Sequence, residues 1–210
     1  MSNVKLIWIT PDCEKIIGYC ARVSNPKNQA NPSVSKLLKY CIDHKHWSIF
    51  EMGNMCVEII TSRAISTQIL RHRSFSFQEF SLRYAVAADL EFTDARLQDE
   101  QNRQNSINEG VPDTIKLWWK ITQEKIWREA YYEYQKAIEA GIAKELARML
   151  LPLGTQTKLY MNGSIRSWVH YIELRTDKET QYEHRVIANA AKNIFIEQLP
   201  IISEALEWKQ

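Results

Sequence analysis

NMCVEIITSRAISTQILRHR, residues 54–73, decides whether the chain is a sheet protein or a mixed one. Residues 54–61 read as a β-strand. Residues 62–73 can either prolong that strand or open a helix at Ser62. The helical trace is favoured, because it places Ile65 and Ile69 on one face and the cluster Arg71-His72-Arg73 on another. A strand that feeds a helix directly calls for an α+β chain.

The flanks extend this reading. Upstream, VKLIWIT (4–10) is an opening strand stopped by Pro11, and Asp12 is a natural N-cap for a helix carrying Ile16, Ile17, Cys20 and Ala21 on one face. Residues 25–33 are loop by composition, and a second helix groups Val34, Leu37, Leu38, Cys41 and Ile42. Downstream, residues 98–113 are polar and punctuated by Gly and Pro, as a surface excursion would be. A long helix over 114–141 closes at Gly141, and a third, over 142–152, stops at Pro152. Residues 155–163 are strand-like, and residues 164–175 and 178–200 give two closing helices. The fold class is α+β. We expect a single helix-rich domain over residues 1–210 with a small antiparallel sheet. The aromatics of the long helix (Trp118, Trp119, Trp127, Tyr131, Tyr132 and Tyr134) are expected in the core and in a subunit contact.

Lys plus Arg total 27 and Asp plus Glu total 25, a balance that speaks against nucleic acid as a partner. The four cysteines, at 13, 20, 41 and 56, have no metal-type spacing, and no segment approaches about 18 consecutive apolar residues. The expectation is a reduced, cytoplasmic protein without membrane contact. Its cysteines are expected to be buried structural thiols.

RHRSFSFQEFSLRY (71–84) crowds three arginines, a histidine, three serines and a glutamate among aromatics. Three readings compete: a nucleic-acid strip, a solvated salt-bridge lattice, and a pocket for an anionic ligand with a polar ring. The charge balance weakens the first. Arg forks need anionic partners, Glu79 can accept from a sugar hydroxyl or hold an arginine, and Ser81 with Arg83 offers further donors. The residues alone do not separate the lattice from the pocket. Elsewhere, Arg148 lies in an apolar turn where its charge must find a partner, and Arg175 ends an apolar helix, where the dipole also favours it. His44 and His46 form an HxH pair that could ligate a metal on a strand, but no third ligand lies nearby, so no metal is expected. Arg166 and His170 stand four residues apart and share a helix face with Ser167.

Arg71-His72-Arg73 followed by seven residues and Ser81 resembles the RHRx7S signature of the flavin-dependent thymidylate synthases. CARVSNP near the N-terminus, HWSIFE (46–51), ELARMLLP (145–152) and ELRTDKETQYE (173–183) resemble family segments in the same order. The resemblance implies a homotetramer with shared active sites and the family's own fold. It implies FAD as cofactor, NADPH as reductant and methylenetetrahydrofolate as one-carbon donor, for conversion of dUMP to dTMP. It places His46, Ser48, Arg71, His72, Arg73, Glu79, Ser164, Ile165, Arg166 and His170 at the flavin. At dUMP it places Gln68, Ile69, Leu70, Arg71, Glu79, Phe80, Ser81, Leu82, Arg83, Arg148 and Arg175, some through backbone N–H groups. Arg148 would be supplied by another subunit, and Arg175 would polarise the uracil ring.

Overall fold

The computed structural model describes residues 2–86 and 89–208; the ends of the expected 1–210 span and residues 87 and 88 lie outside them. Its centre is a four-stranded antiparallel sheet in the order β1-β2-β6-β3, built from β1 (Asn3–Ile9), β2 (Asn54–Ser62), β3 (Ser76–Glu79) and β6 (Gln156–Ser164). Strand β2 is buried along most of its length, as a central strand must be when helices cover it. Met55, Val57 and Ile59 join Leu159 and Met161 of β6 in the main core.

Helices α1 (Cys13–Ala21), α2 (Ser35–Asp43), α3 (Arg63–Ile69), α6 (Ile165–Arg175), α7 (Tyr182–Gln198) and α8 (Pro200–Ala205) feed that core. The 27-residue α4 (Asp113–Glu139) behaves differently. Only its Tyr134 and Ala137 are buried, in a second cluster with Leu82 and with Ala147 of α5 (Lys144–Ala147). Tyr134 thus takes the expected core role, Tyr131 packs half-buried against the same cluster, Trp119 and Trp127 are half-buried, and Trp118 and Tyr132 face outward.

Several boundaries differ from the sequence reading. Asp12 does precede α1, but in a left-handed conformation with no capping bond; its carboxylate pairs instead with Lys15 at 2.8 Å. The helix expected to run to residue 73 stops at Ile69, so Arg71, His72 and Arg73 occupy a turn before β3, a strand that the sequence reading left out. The expected third helix splits into α5 and a 3-10 turn, Arg148–Leu150. The polar excursion contains a minimal ladder of β4 (Leu97–Gln98) and β5 (Ser106–Ile107). His44 and His46 sit at a helix C-cap and a 3-10 N-cap rather than on a strand, and His44 Nδ1 lies 2.8 Å from Tyr40 O. Gly141 closes α4 with φ +80°, as expected of a residue without a Cβ.

Candidate functional site

The sharp turn after α3 is held by one aromatic. Phe75 is buried edge-on against Trp168 and Tyr171, with ring centroids 4.9 and 5.9 Å away. It seats over Gly163 of β6, where a Cβ would come within 2.4 Å of the Phe75 ring. Glycine is thus required by close approach, and the contact pins the Arg71–Arg73 turn to α6. Ser167 adds a bond from its Oγ to Ser74 O at 3.2 Å.

Around that turn the expected residues gather in three places. In the first, Arg175 Nε donates to His72 Nε2 at 2.9 Å, and the His72 ring stands edge-on to Tyr171 at 4.9 Å. Burial, together with the Arg175 charge, pushes the His72 imidazole down to about 4, so at neutral pH it is uncharged and Nε2 is free to accept. Arg71 and Arg73 are exposed and pair with no carboxylate among the described residues. The surface-lattice reading of this stretch therefore fails at its two leading arginines. Two unpaired guanidinium groups beside a neutral ring are a donor set that suits a ligand carrying phosphates, which is the fit a dinucleotide flavin requires.

In the second place, a cleft of about 520 Å³ is lined by Trp47, Glu51, Ser74, Arg166, His170 and Glu173 among others. Ser164 N-caps α6 by accepting from Ser167 N at 3.2 Å, which brings Arg166 and His170 onto this cleft. Arg166 is ion-paired with Glu51, so an anion here would have to compete with that carboxylate. His46 and Ser48 flank Trp47 without lining the cleft.

The third place lies at α5. Arg83 Nε stands 3.4 Å from Glu145 Oε2, Arg83 N donates to Ser81 Oγ at 3.3 Å, and Arg148 Nε donates to Glu145 O at 3.2 Å. Arg148 has no carboxylate partner among the described residues, and its neighbours Leu146, Met149 and Leu150 are exposed. The apolar turn expected to bury it faces outward. Between the three places, Glu79 Oε1 accepts from Ser66 Oγ and Thr157 Oγ1, each at 3.0 Å, with Arg63 at 3.8 Å. Among the described residues no hydrogen bond or ion pair joins the α5 group to Arg175.

Ile69, Leu82 and Ile165 are buried, so a ligand could meet them only through their backbone; Gln68 and Leu70 are half-buried and Phe80 is exposed. Sequence reasoning passed over Ser66, Thr157, Glu51, Tyr171 and His184. The last two are fully buried polar residues within apolar helix faces, and nothing in their spacing marks them.

Residues 5–201 match the family model described as thymidylate synthase complementing protein. The chain belongs to this family. It is 54% identical over 195 residues to the flavin-dependent thymidylate synthase of Synechocystis, covering 93% of this chain and 90% of that one. It is 55% identical over 215 residues to the probable flavin-dependent thymidylate synthase of Paramecium bursaria Chlorella virus 1, covering 98% and 99%. In fold it is similar to the crystal structure of the UMP/dUMP methylase PolB from Streptomyces cacaoi bound with 5-Br dUMP. There the TM-score is 0.87 at 24% identity, with 99% of this chain and 95% of that chain covered. The helix-rich architecture with its small antiparallel sheet is therefore that of the family, and the chain extends over nearly the whole length of these relatives.

Proposed function

We propose that the chain is a flavin-dependent thymidylate synthase, a single domain over residues 1–210 that methylates dUMP to dTMP. Methylenetetrahydrofolate would donate the carbon and NADPH the reducing equivalents. The observation that carries the reading is the junction of the Arg71–Arg73 turn with the end of α6 through His72 and Arg175. The identity to named synthases over nearly the full chain supports it.

Arg71 and Arg73 would hold phosphate charge of FAD, with neutral His72 between them and Arg166, Ile165, Ser164 and His170 along the neighbouring helix. His46 and Ser48 would border the cofactor from the turn before β2, and Glu79 would fix the sugar side. When bound, FAD supplies hydride to the pyrimidine. Arg175, held by His72, places a planar guanidinium where negative charge builds on the uracil ring, an interaction that helps only if it is stronger in the transition state than in the bound substrate. Ser81, Arg83 and the backbone from Phe80 to Leu82 would take the nucleotide phosphate. Arg148 of a second copy would complete that site. No enzyme thiol is required, and burial pushes Cys13 up to about 12 and raises Cys41 and Cys56, the opposite of activating a nucleophile.

Arg148 and its exposed apolar neighbours support a homotetramer in which sites are shared. Four free cysteines suit a cytoplasmic setting. Among the described residues no helix is long and apolar enough to cross a membrane.

The test is a flavin absorption spectrum of the purified protein together with formation of dTMP from dUMP, methylenetetrahydrofolate and NADPH. Arg73→Ala should lose flavin while its far-UV circular dichroism is unchanged. Full flavin stoichiometry in that variant would overturn the cofactor assignment. Light scattering should give a mass well above one chain; a fully active species of 24.6 kDa would overturn the shared site.

A further inference from the structure

Behind the contact of His72 with Arg175 runs a row of hydrogen bonds that the reaction does not by itself call for. Glu183 Oε1 accepts from Arg96 Nη2 at 2.5 Å, and Glu183 Oε2 accepts from Gln181 Nε2 at 3.0 Å. Gln68 Nε2 donates to Gln181 Oε1 at 2.7 Å. His184 Nδ1 then stands 3.4 Å from Gln68 Oε1, and the Tyr171 hydroxyl stands 3.1 Å from His184 Nε2. His184 and Tyr171 are both at 0% exposure, and the His72 ring rests edge-on against Tyr171.

The carboxylate at one end sets the direction of every bond in the row. A carboxylate paired with arginine only accepts, so Gln181 must turn its NH2 toward Glu183 and its oxygen toward Gln68. Gln68 must then turn its NH2 toward Gln181 and its oxygen toward His184. An amide oxygen cannot donate, so the His184 proton belongs on Nδ1 and Nε2 is bare. Tyr171 therefore donates its hydroxyl proton to Nε2. Burial disfavours the doubly protonated imidazolium, which would leave the same Nδ1–H toward Gln68 but strip Tyr171 of its acceptor. One neutral tautomer satisfies the whole row.

We infer that His184 is a positioning residue for the nucleotide: in its Nδ1–H form it locks the Gln68 amide so that the second N–H of Gln68 Nε2 faces the ligand and donates to an acceptor there. This rests on the reading of Gln68 as a nucleotide contact. Without the imidazole the amide is free to turn over and present its oxygen to the same ligand atom, replacing a donor–acceptor contact with an acceptor–acceptor one. The donor that Gln68 offers is thus specified by residues on α7, none of which needs to touch the nucleotide.

Two measurements test the inference on the flavin-loaded protein. A long-range proton–nitrogen spectrum of 15N-labelled chain at neutral pH, assigned with His184→Phe, should show Nδ1 protonated and Nε2 bare. The Nε2–H form overturns the inference whatever the enzyme does. The second is a double-mutant cycle on dUMP affinity. His184→Phe should weaken dUMP about five- to tenfold, the loss of one oriented hydrogen bond, with flavin content retained and kcat within about twofold. In a Gln68→Ala background the same change should cost less than about twofold, because the residue through which it acts is gone. Additive effects would reduce His184 to a packing residue and overturn the inference. Should His184→Phe fail to fold, Gln181→Leu cuts Gln68 off from the Glu183 carboxylate and should leave a mixture of His184 tautomers with weaker dUMP binding; a single unaltered tautomer with normal binding overturns the inference. A wild-type chain that binds no dUMP defeats the thymidylate reading, and the positioning role with it, while the tautomer stands. The Nε2–H form with normal dUMP binding defeats the positioning role alone.

Discussion

Strands β2 and β6 lie side by side and antiparallel, and each runs through a serine directly into a helix, so the two corners stand at opposite ends of the sheet. Their backbones are nearly the same: Ser62 has φ −72° and ψ 156°, and Ser164 has φ −65° and ψ 156°. Their chemistry differs. Ser164 caps its own helix through its side chain. Ser62 makes no such cap; its corner is held from outside by the buried carboxylate of Glu91, which accepts from Ser62 N at 2.5 Å, Thr61 Oγ1 at 3.1 Å and Ser2 Oγ at 2.5 Å. A helix start can be specified within four residues or by a residue far along the chain. Here one sheet uses both, and the ends of the two helices then meet at His72 and Arg175.

That meeting gives the largest expected effect. Arg175→Ala should lower turnover in single-turnover assays by about 10²–10³, as loss of a preorganised donor does. Arg175→Lys keeps charge but loses the planar fork, and should also be poor. Because Arg175 donates to His72, flavin affinity should fall as well; a titration showing normal affinity would mean that the two helix ends act independently. The next largest effect falls on the externally held corner. Glu91→Ala strands three donors, and urea unfolding should show a loss of about 1–3 kcal/mol or more. Amide exchange should accelerate in α3 and stay unchanged in α6; equal acceleration in both would erase the contrast.

The far ends of the two helices meet over neutral histidines, which gives the pair a pH signature. Burial, with help from Arg175, pushes His184 down to about 3 and His72 to about 4, against about 6.5 for an unfolded chain. Only the unfolded chain takes up these protons as pH falls below about 6.5, so stability is full above that value and declines toward about 4 for His72 and about 3 for His184. The slope owed to the fully buried His184 should be at most about 1.4 kcal/mol per pH unit, and half-exposed His72 should add less. Urea midpoints between pH 7.5 and 4.5 should fall more gently in His184→Phe. The smallest effect separates the serines themselves. Ser164→Ala should cost about 1 kcal/mol and Ser62→Ala markedly less, and a reversed order in thermal unfolding would break the distinction.

The same contrast marks what could be read in the sequence. The strand at 54–61, the helix starting after Ser62, the long helix with its Gly141 stop and the closing helices were legible because each rests on local periodicity or a local cap. The end of α3 was not, since a tertiary contact, Phe75 over Gly163, turns the chain there before another helical turn can form. Glu91 and His184 were invisible for the same reason: their hydrogen-bond partners lie 13 or more residues away, and their spacing resembles that of any surface polar residue. Of the site, the Arg71–Ser81 pattern and the helix face of Arg166 and His170 could be picked out from residue order. The bond between His72 and Arg175 could not, nor could the absence of carboxylate partners for Arg71 and Arg73 among the described residues.

The central strand pair carries a consequence for synthesis. Asn54 pairs with Ser164 and Ser62 with Gln156, so β2 has no partner on that side until nearly the whole chain has been made. At ribosomal speeds of about 5–20 residues per second, an interval of roughly a hundred residues leaves an apolar strand edge bare for on the order of 5–20 s. Pairing across such a separation is also slow to nucleate once the chain is released. Met55, Val57 and Ile59, the fully buried apolar residues of the finished strand, are therefore the ones most exposed to wrong partners while the protein is born. A nascent chain of this enzyme should depend on holding chaperones most strongly during translation of α4.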